Sequence, residues 1–498
     1  MRFSRHSLVW LWLSQTSIAG EVAPRSDMIE TLLSNGTYQS SPGTTISYAN
    51  TSAFDSVTER WTDYEPPTYA AAISPSTEAD VVNAVKMAKE YNVPILATGG
   101  RHGYSTTLGK MKDGIAIDLS QLNSVEINKT AKTLTVGPGV RFRDMFDPVY
   151  KAGFQIQTGT CSCVGMIGAT LGGGIGRLHG LDGMIIDALQ SVRLVTADGE
   201  VLEASEHSNP ELFWGIRGAG FNFGIVLSAT YELHPLYKKG IWTSADIIIT
   251  AENNATYFDT LEKMFPFPAQ MALETILNYN TTLNEPQLMI SILYAGSQKE
   301  AVKAMDPILK LRPSYSSIKE LTWNEVSSQS SFNLDSLICE DKHIWDIWSA
   351  NLRNVSAAVL KSSFEDLASF WRDYPSARLS QVTYESWPIQ ATVAVSEDST
   401  AYPWRDTTTY VLIEMNWDGA DDPVKETANY VAQKIRSGLA ASSGYGGLAV
   451  YVNYSHGDET LDQMYGASKL NRLIALKRAY DPNNTFRFYN ALPTSYPK

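Results

Sequence analysis

The sequence predicts an α+β chain of more than one domain, on three observations. The first half carries two glycine-rich loops, 98–104 (TGGRHGY) and 159–176 (GTCSCVGMIGATLGGGIG). The middle alternates strands with amphipathic helices and has no loop of that kind. Finally, 498 residues, 44% of them hydrophobic and 12 of them Trp, suffice for at least two cores. With 40 basic against 53 acidic residues the net charge is -13, which argues against nucleic acid or an anionic membrane as partner and for a small molecule.

In chain order, residues 1–20 place Arg2, Arg5 and His6 before the apolar run 8–13 and the small residues Ser17, Ala19 and Gly20. This is a secretory-signal pattern, too short in its apolar part to cross a bilayer, so no integral membrane segment is expected in the mature chain. Eight N-x-S/T sequons, at Asn35, Asn50, Asn128, Asn254, Asn280, Asn354, Asn453 and Asn483, point the same way, to a secreted or lumenal glycoprotein. Residues 21–65 read as a lead-in of turns and short helices.

From Tyr69 the pattern sharpens. Residues 70–73 form a strand, and Ser76 caps a helix with Glu78 and Asp80 in its first turn and Val81, Ala84, Val85 and Ala88 on its apolar face. Ile115, Ile117 and Leu119 alternate as a strand, 134–136 continues strand-like, and 143–152 is a helix with Met145, Phe146 and Val149 inward. Residues 191–196 and 200–204 pair about the turn Asp198-Gly199. The run 209–226 starts as a helix and ends as a strand, Arg217 serving as an internal salt-bridge partner rather than a phosphate contact, and His234-Pro235 closes the unit. Beyond it, strand 287–294 followed by helix 299–309 typifies the middle region. Strand alternation puts Tyr410, Leu412, Glu414 and Asn416 on one half-polar face, fit either to line a pocket or to meet solvent. Residues 449–454 read as a strand, and a basic helix with Leu470, Leu473 and Ile474 inward precedes 481–486.

Glycine runs let a backbone lie close to a flat or charged ligand. Neither loop contains G-x-G-x-x-G or a Walker lysine, which disfavours a Rossmann site or a P-loop. Three cysteines, Cys161, Cys163 and Cys339, are too few and too oddly numbered for a disulfide framework; a Cys163–Cys339 bridge is disfavoured, and the unpaired thiol needs a use such as cofactor attachment. Residues 339–343 (CEDKH) fit no standard metal site, so no metal is expected. No G-x-S-x-G or H-E-x-x-H pattern supports a hydrolase.

GRHGY at 100–104, GTCxxVGxxGxxxGGGxG at 159–176, NFGIV at 222–226, YVNY at 451–454 and DPNNTF at 481–486 resemble the berberine bridge enzyme-like branch of the vanillyl alcohol oxidase flavoprotein superfamily. The resemblance implies a two-part PCMH-type FAD-binding domain at 66–236, a substrate domain at 237–445 with a large antiparallel sheet backed by helices, and a closing segment at 446–498 that returns to the FAD domain. It implies FAD held by Thr98, Gly99, Gly100, Arg101, Gly103, Val164, Gly165, Gly168, Gly172, Gly173, Gly174, Gly176, Gly224, Ile225 and Asn453, with His102 bonded to the flavin 8-methyl and Cys161 to C6. A neutral imidazole and a thiolate are the nucleophiles such bonds require. Tyr451 is then the first candidate base and Glu414 the carboxylate, with Tyr104 packed at the flavin or substrate. A pocket-lining Asn453 could not carry a glycan. Valine at 164 implies an oxidase that passes electrons to O2 and releases H2O2. The expected activity is hydride transfer from an alcohol, phenol or amine-type secondary metabolite to FAD, with or without cyclisation of the product. A carbohydrate oxidase is the first alternative, and a flavin-holding cyclase without net redox turnover is the second.

Overall fold

The computed structural model describes residues 25–49, 51–340, 343–419 and 421–495, so the expected signal at 1–20 lies outside the described residues. Among the described residues, three large sheets and one two-stranded pair, Phe154–Gln155 with His234–Pro235, organise the chain. The first has four strands in the order Thr45–Tyr48, Tyr69–Ser74, Gly114–Asp118 and Ile95–Thr98, the last three parallel. The helix Glu78–Tyr91 packs Val81, Ala84, Val85 and Ala88 against it. Thr77, not Ser76, is the N-cap: its hydroxyl accepts from the Asp80 amide while the Asp80 carboxylate accepts from the Thr77 amide, a reciprocal box that Ser76, bonded instead to Pro42 and Thr44, cannot form. Thr45–Tyr48 adds an edge strand where only turns and helices were expected.

The second sheet is antiparallel, in the order Val125–Asn128, Thr133–Val136, Ile225–Glu232, Leu189–Val195 and Val201–Ser205. The last pair is the hairpin foreseen at Asp198-Gly199, with Gly199 at φ +74°. Arg217 forms no ion pair among the described residues; its guanidinium lies over the Phe213 ring and donates to the Ser399 carbonyl, which corrects the salt-bridge reading.

The third sheet has seven antiparallel strands in the order Tyr315–Thr322, Ile241–Thr250, Glu285–Ala295, Met271–Asn280, Gln381–Ser386, Thr409–Asn416 and Trp345–Leu352. Helices Asn254–Met264, Gln298–Leu309, Ala357–Asp373 and Val424–Ser442 cover one face, sharing a core with Val382, Tyr384, Val411, Ile413 and Met415. A period of two sends the intervening residues, Thr383, Glu385, Leu412 and Glu414 among them, to the opposite face. That face meets the glycine loops.

The closing segment forms no strand at 449–454. Tyr451 N donates to the Asn351 side chain and Val450 N to the Gln463 carbonyl, so there is no ladder to join, and Val452–Tyr454 coils into a 3-10 turn. The helix Ala467–Tyr480 then buries Leu470, Leu473 and Ile474. Cys163 and Cys339, 176 residues apart, are bridged with a Cα–Cα distance of 5.8 Å, against the expectation of no disulfide; Cys161 is the odd thiol left free.

Candidate active site

The two glycine loops reach each other before they reach a ligand. A Cβ on Gly100 would stand 2.4 Å from Gly165 N, one on Gly99 2.4 Å from the Pro138 carbonyl, and one on Gly224 2.5 Å from the Val195 carbonyl, so only glycine allows these segments to pack edge to edge. Between them and the polar face of the seven-stranded sheet lies a cavity of about 360 Å³. Thr98, Gly99, Gly100, Arg101, His102, Gly103 and Tyr104 line one wall, Cys161, Val164, Gly165 and Gly168 the next, and Gly224 with Ile225 a third. Glu385, Leu412, Glu414, Tyr451, Asn453 and Tyr454 line the side facing them.

Gly172, Gly173, Gly174 and Gly176, expected among the cofactor-holding residues, are not among those that line it. They allow the loop to fold behind it: a Cβ on Gly176 would fall 1.9 Å from the Thr158 carbonyl, one on Gly172 2.2 Å from Asn453 Oδ1, and Gly173 and Gly174 sit at φ +139° and +78°. Arg101 lines the cavity at φ +56°, but its guanidinium is committed to Asp118 (2.9 Å) and the Glu59 and Ser56 carbonyls.

His102 stacks on Trp61 at 4.6 Å, and burial holds its imidazole down at about 4, so it is neutral at physiological pH. Its Nε2 has no hydrogen-bond partner, nor do Thr98 Oγ1 and Tyr104 Oη on the same wall. Buried polar atoms are nearly always paired, and three orphans on one cavity wall mark a surface built for a polar ligand. Burial, reinforced by Asp335, Glu274 and Glu385, pushes the Cys161 thiol up to about 12, so its resting form is the thiol and not the thiolate expected. The site therefore fits a flavin: a neutral imidazole and a free thiol on walls whose glycines leave room for a flat ring.

Tyr451 Oη accepts from Gly174 N (2.9 Å) and Asn453 Nδ2 (2.8 Å) and donates weakly to the Ala169 carbonyl (3.4 Å). Burial still drives its pKa above the usual tyrosine range, and no cation offsets that burial. Asn453 Nδ2 also donates to the Ala169 carbonyl, an engagement incompatible with a glycan. Tyr451 and Asn453 thus tie the closing segment to the glycine loop.

Two buried carboxylates face the same space. Glu414 accepts from Thr383 Oγ1 (2.7 Å) and Gln381 Nε2 (2.9 Å), and burial raises it to about 7. Glu385, which sequence reasoning missed, accepts from Tyr454 Oη at 2.9 Å and is raised to about 8, first by burial and then by Glu274 beside it. Glu274 is itself paired to Arg177 at 3.2 Å. The missed signal was alternation in QVTYES: Gln381, Thr383 and Glu385 make the same half-polar face as the one noted at 410–416. Trp61, Tyr104, Ile347 and Leu412 pack as an apolar cluster beside these acids.

Comparison with known proteins agrees with this architecture. A family described as "FAD binding domain" matches residues 69–205, and one described as "Berberine and berberine like" matches 450–493. The FAD-linked oxidoreductase OXR1 of Pyricularia oryzae is 54% identical over 458 residues, covering 92% of this chain and 90% of that protein. The FAD-linked oxidoreductase srdI of Neurospora crassa is 51% identical over 470 residues, covering 94% and 93%. Among solved structures, Physcomitrella patens BBE-like 1 superposes with a TM-score of 0.81 at 23% identity over 94% of this chain and 100% of that one. A chitooligosaccharide oxidase does so at 0.79 and 22% over 94% and 99%, a likeness of fold alone. No described helix is long and apolar enough to cross a membrane. The two family matches, and relatives 54% and 51% identical over more than nine-tenths of the chain, show that the protein belongs to the berberine bridge enzyme-like family of FAD-linked oxidoreductases.

Proposed function

We propose that this protein is a secreted oxidase that holds FAD covalently through His102 and Cys161 and oxidises an alcohol, phenol or amine-type secondary metabolite, with O2 as acceptor and H2O2 as product. The observation that carries this reading is the convergence on one cavity of an unpartnered neutral imidazole, a free thiol and a carboxylate–tyrosine pair. When bound, FAD supplies the hydride acceptor.

The chain's own residues manage the proton and the orientation. Tyr454 takes the substrate proton at Oη while passing its own to Glu385 Oε2, so one hydrogen bond moves a proton out of the reaction zone without leaving a phenolate. Glu414 is the second acid, fixed by Thr383 and Gln381. Tyr451, first expected as the base, is reassigned to anchoring, because its oxygen already accepts two N–H bonds. The apolar wall of Trp61, Tyr104, Ile347 and Leu412 suits an aromatic or alkenyl skeleton better than a sugar, whose hydroxyls would lose water there without replacement. Val164 on the cavity wall supports dioxygen access, and the disulfide suits an oxidising compartment.

The test is acid denaturation of purified holoprotein followed by separation from small molecules. Flavin absorbance and the FAD mass are expected to stay with the wild-type chain and with each of His102→Ala and Cys161→Ser, and to leave with the double variant. Flavin washing out of the wild type would overturn covalent attachment. Peroxide release from a panel of aryl, allylic and saccharide alcohols then tests the substrate class, and turnover of saccharides alone would favour the carbohydrate oxidase.

A further inference from the structure

The residues flanking Cys161 are gripped on both sides, while its own sulfur stays outside any disulfide and meets only the Thr160 hydroxyl, at 3.8 Å, among the described hydrogen bonds. Thr160 O accepts from Arg177 Nη1 (3.3 Å), and Ser162 O accepts from Arg143 N (2.9 Å). Ser162 N and Oγ both donate to the Asp335 carboxylate, at 2.8 and 2.6 Å, and Cys163 is bridged to Cys339. Asp335 and Cys339 begin and end one turn of a strap, residues 326–339, that leaves the seven-stranded sheet and crosses to the glycine loop.

Ser331, Phe332 and Asn333 in that strap all have φ between +47° and +59°. Side chains pay about 1 kcal/mol or more each for that region, so the strap does not hold its shape unaided. Its anchors are Ser331 Oγ, which accepts from Arg177 Nη2 (3.0 Å), the Ile338 carbonyl, which accepts from Trp61 Nε1 (2.7 Å), and the bridge. Trp61 is the ring stacked on His102, and Ile338 lines the cavity. The strap therefore touches the surroundings of both proposed attachment residues.

We propose that Asp335 and the Cys163–Cys339 bridge are positioning groups for flavin attachment: they hold the loop 160–163 so that Cys161 points its thiol into the cavity and cannot itself enter a disulfide. The inference rests on the covalent reading above. Attachment replaces a ring C–H with C–S; the thiol proton and the displaced hydride equivalent pass to dioxygen as hydrogen peroxide, so atoms and electrons balance with O2 as oxidant. Bond formation of this kind needs near-attack geometry, and an error of about 1 Å costs on the order of 100-fold in rate.

The experiment compares secreted holoprotein of the wild type with Asp335→Ala, Asp335→Asn and Cys163→Ser/Cys339→Ser, digested without reductant and weighed peptide by peptide. Flavin joining the His102 and Cys161 peptides is separated from flavin on the His102 peptide alone. Retention on His102 reports that the variant folded and bound FAD, which a merely destabilising change would lower in parallel. The expected result is near-complete cross-linking in wild type, a fall of about tenfold or more in Asp335→Ala and in the double serine variant with the His102 link intact, and partial recovery in Asp335→Asn, whose carbonyl can still accept from Ser162 N. Cross-linking that equals wild type in both Asp335→Ala and the double serine variant overturns the positioning role and leaves covalent attachment standing. A wild type with no Cys161 link overturns both.

Discussion

Glu385→Gln is expected to slow flavin reduction by about 10²- to 10⁴-fold, the usual loss when a positioned proton acceptor is removed. Glutamine keeps the shape and can still bond Tyr454 Oη, so folding and FAD retention should be unchanged. What it loses is the capacity to receive the tyrosine's proton. Anaerobic flavin bleaching by any substrate that releases peroxide in the panel measures the effect. In the wild type the rate should rise with pH through about 8, because the acceptor works only as carboxylate and burial holds Glu385 there. That inflection should vanish in the glutamine variant. Glu414→Gln, by contrast, should leave it in place, so an inflection lost in Glu414→Gln alone would transfer the role to Glu414.

The same raised pKa values carry a stability signature. Glu385 and Glu414 keep their protons in the folded, ligand-free protein up to about 8 and about 7, whereas an unfolded glutamate releases its proton near 4.5. Between those limits the folded state binds more protons than the unfolded one, so stability falls as pH rises through the window. Glutamine at 385 removes one of the two contributions, and the unfolding midpoint of the apoprotein should depend less on pH between 4.5 and 8.

The parts of this site legible in the sequence are those written in short range. Glycine spacing located the loops at 98–104 and 159–176, and alternation at 410–416 separated Glu414 and Leu412 from Val411 and Ile413, which face the helices. Glu385 was missed although its strand alternates equally well, because its chemistry depends on Tyr454, 69 residues later, in a segment that looks like a strand and is a 3-10 turn. Tyrosine spacing likewise cannot reveal that Gly174 N and Asn453 Nδ2 donate to the Tyr451 oxygen. An odd cysteine count requires one thiol outside any internal bridge, but the Cys163–Cys339 bridge itself, disfavoured from the sequence, depends on a strap that crosses from one sheet to the other loop. Long-range contact, and not local propensity, decided each of these.

Lys477→Met is expected to destabilise the protein by about 3–5 kcal/mol, the cost of leaving one member of a buried ion pair alone. The side chains of Lys477 and Asp481 are both 0% exposed and 2.6 Å apart. The ammonium also donates to the Asn222 and Phe486 carbonyls, at 3.0 and 2.8 Å, while the carboxylate accepts from Thr485 N and Phe486 N. Burial lowers the Lys477 pKa, and Asp481 works against that by favouring the charged form. Methionine fills the space but leaves two carbonyls without a donor and one carboxylate without its cation. Asp481→Asn should cost less, because the amide oxygen retains a backbone donor. The double variant should cost less than the sum, since the neutral amide leaves no charge for the missing ammonium to neutralise; urea unfolding of all four proteins gives the coupling. The pair clamps the DPNNTF turn against Asn222, whose Oδ1 accepts from Leu492 N, and the stretch between, Phe486 to Tyr489, lines the cavity. Loosening this clamp should therefore lower FAD incorporation together with stability, whereas Glu385→Gln should leave FAD incorporation intact and alter stability only through its pH dependence. A Lys477→Met cost below about 1 kcal/mol, within the range of a surface pair, would mean that water reaches the ammonium and that the closing segment is held by apolar packing instead.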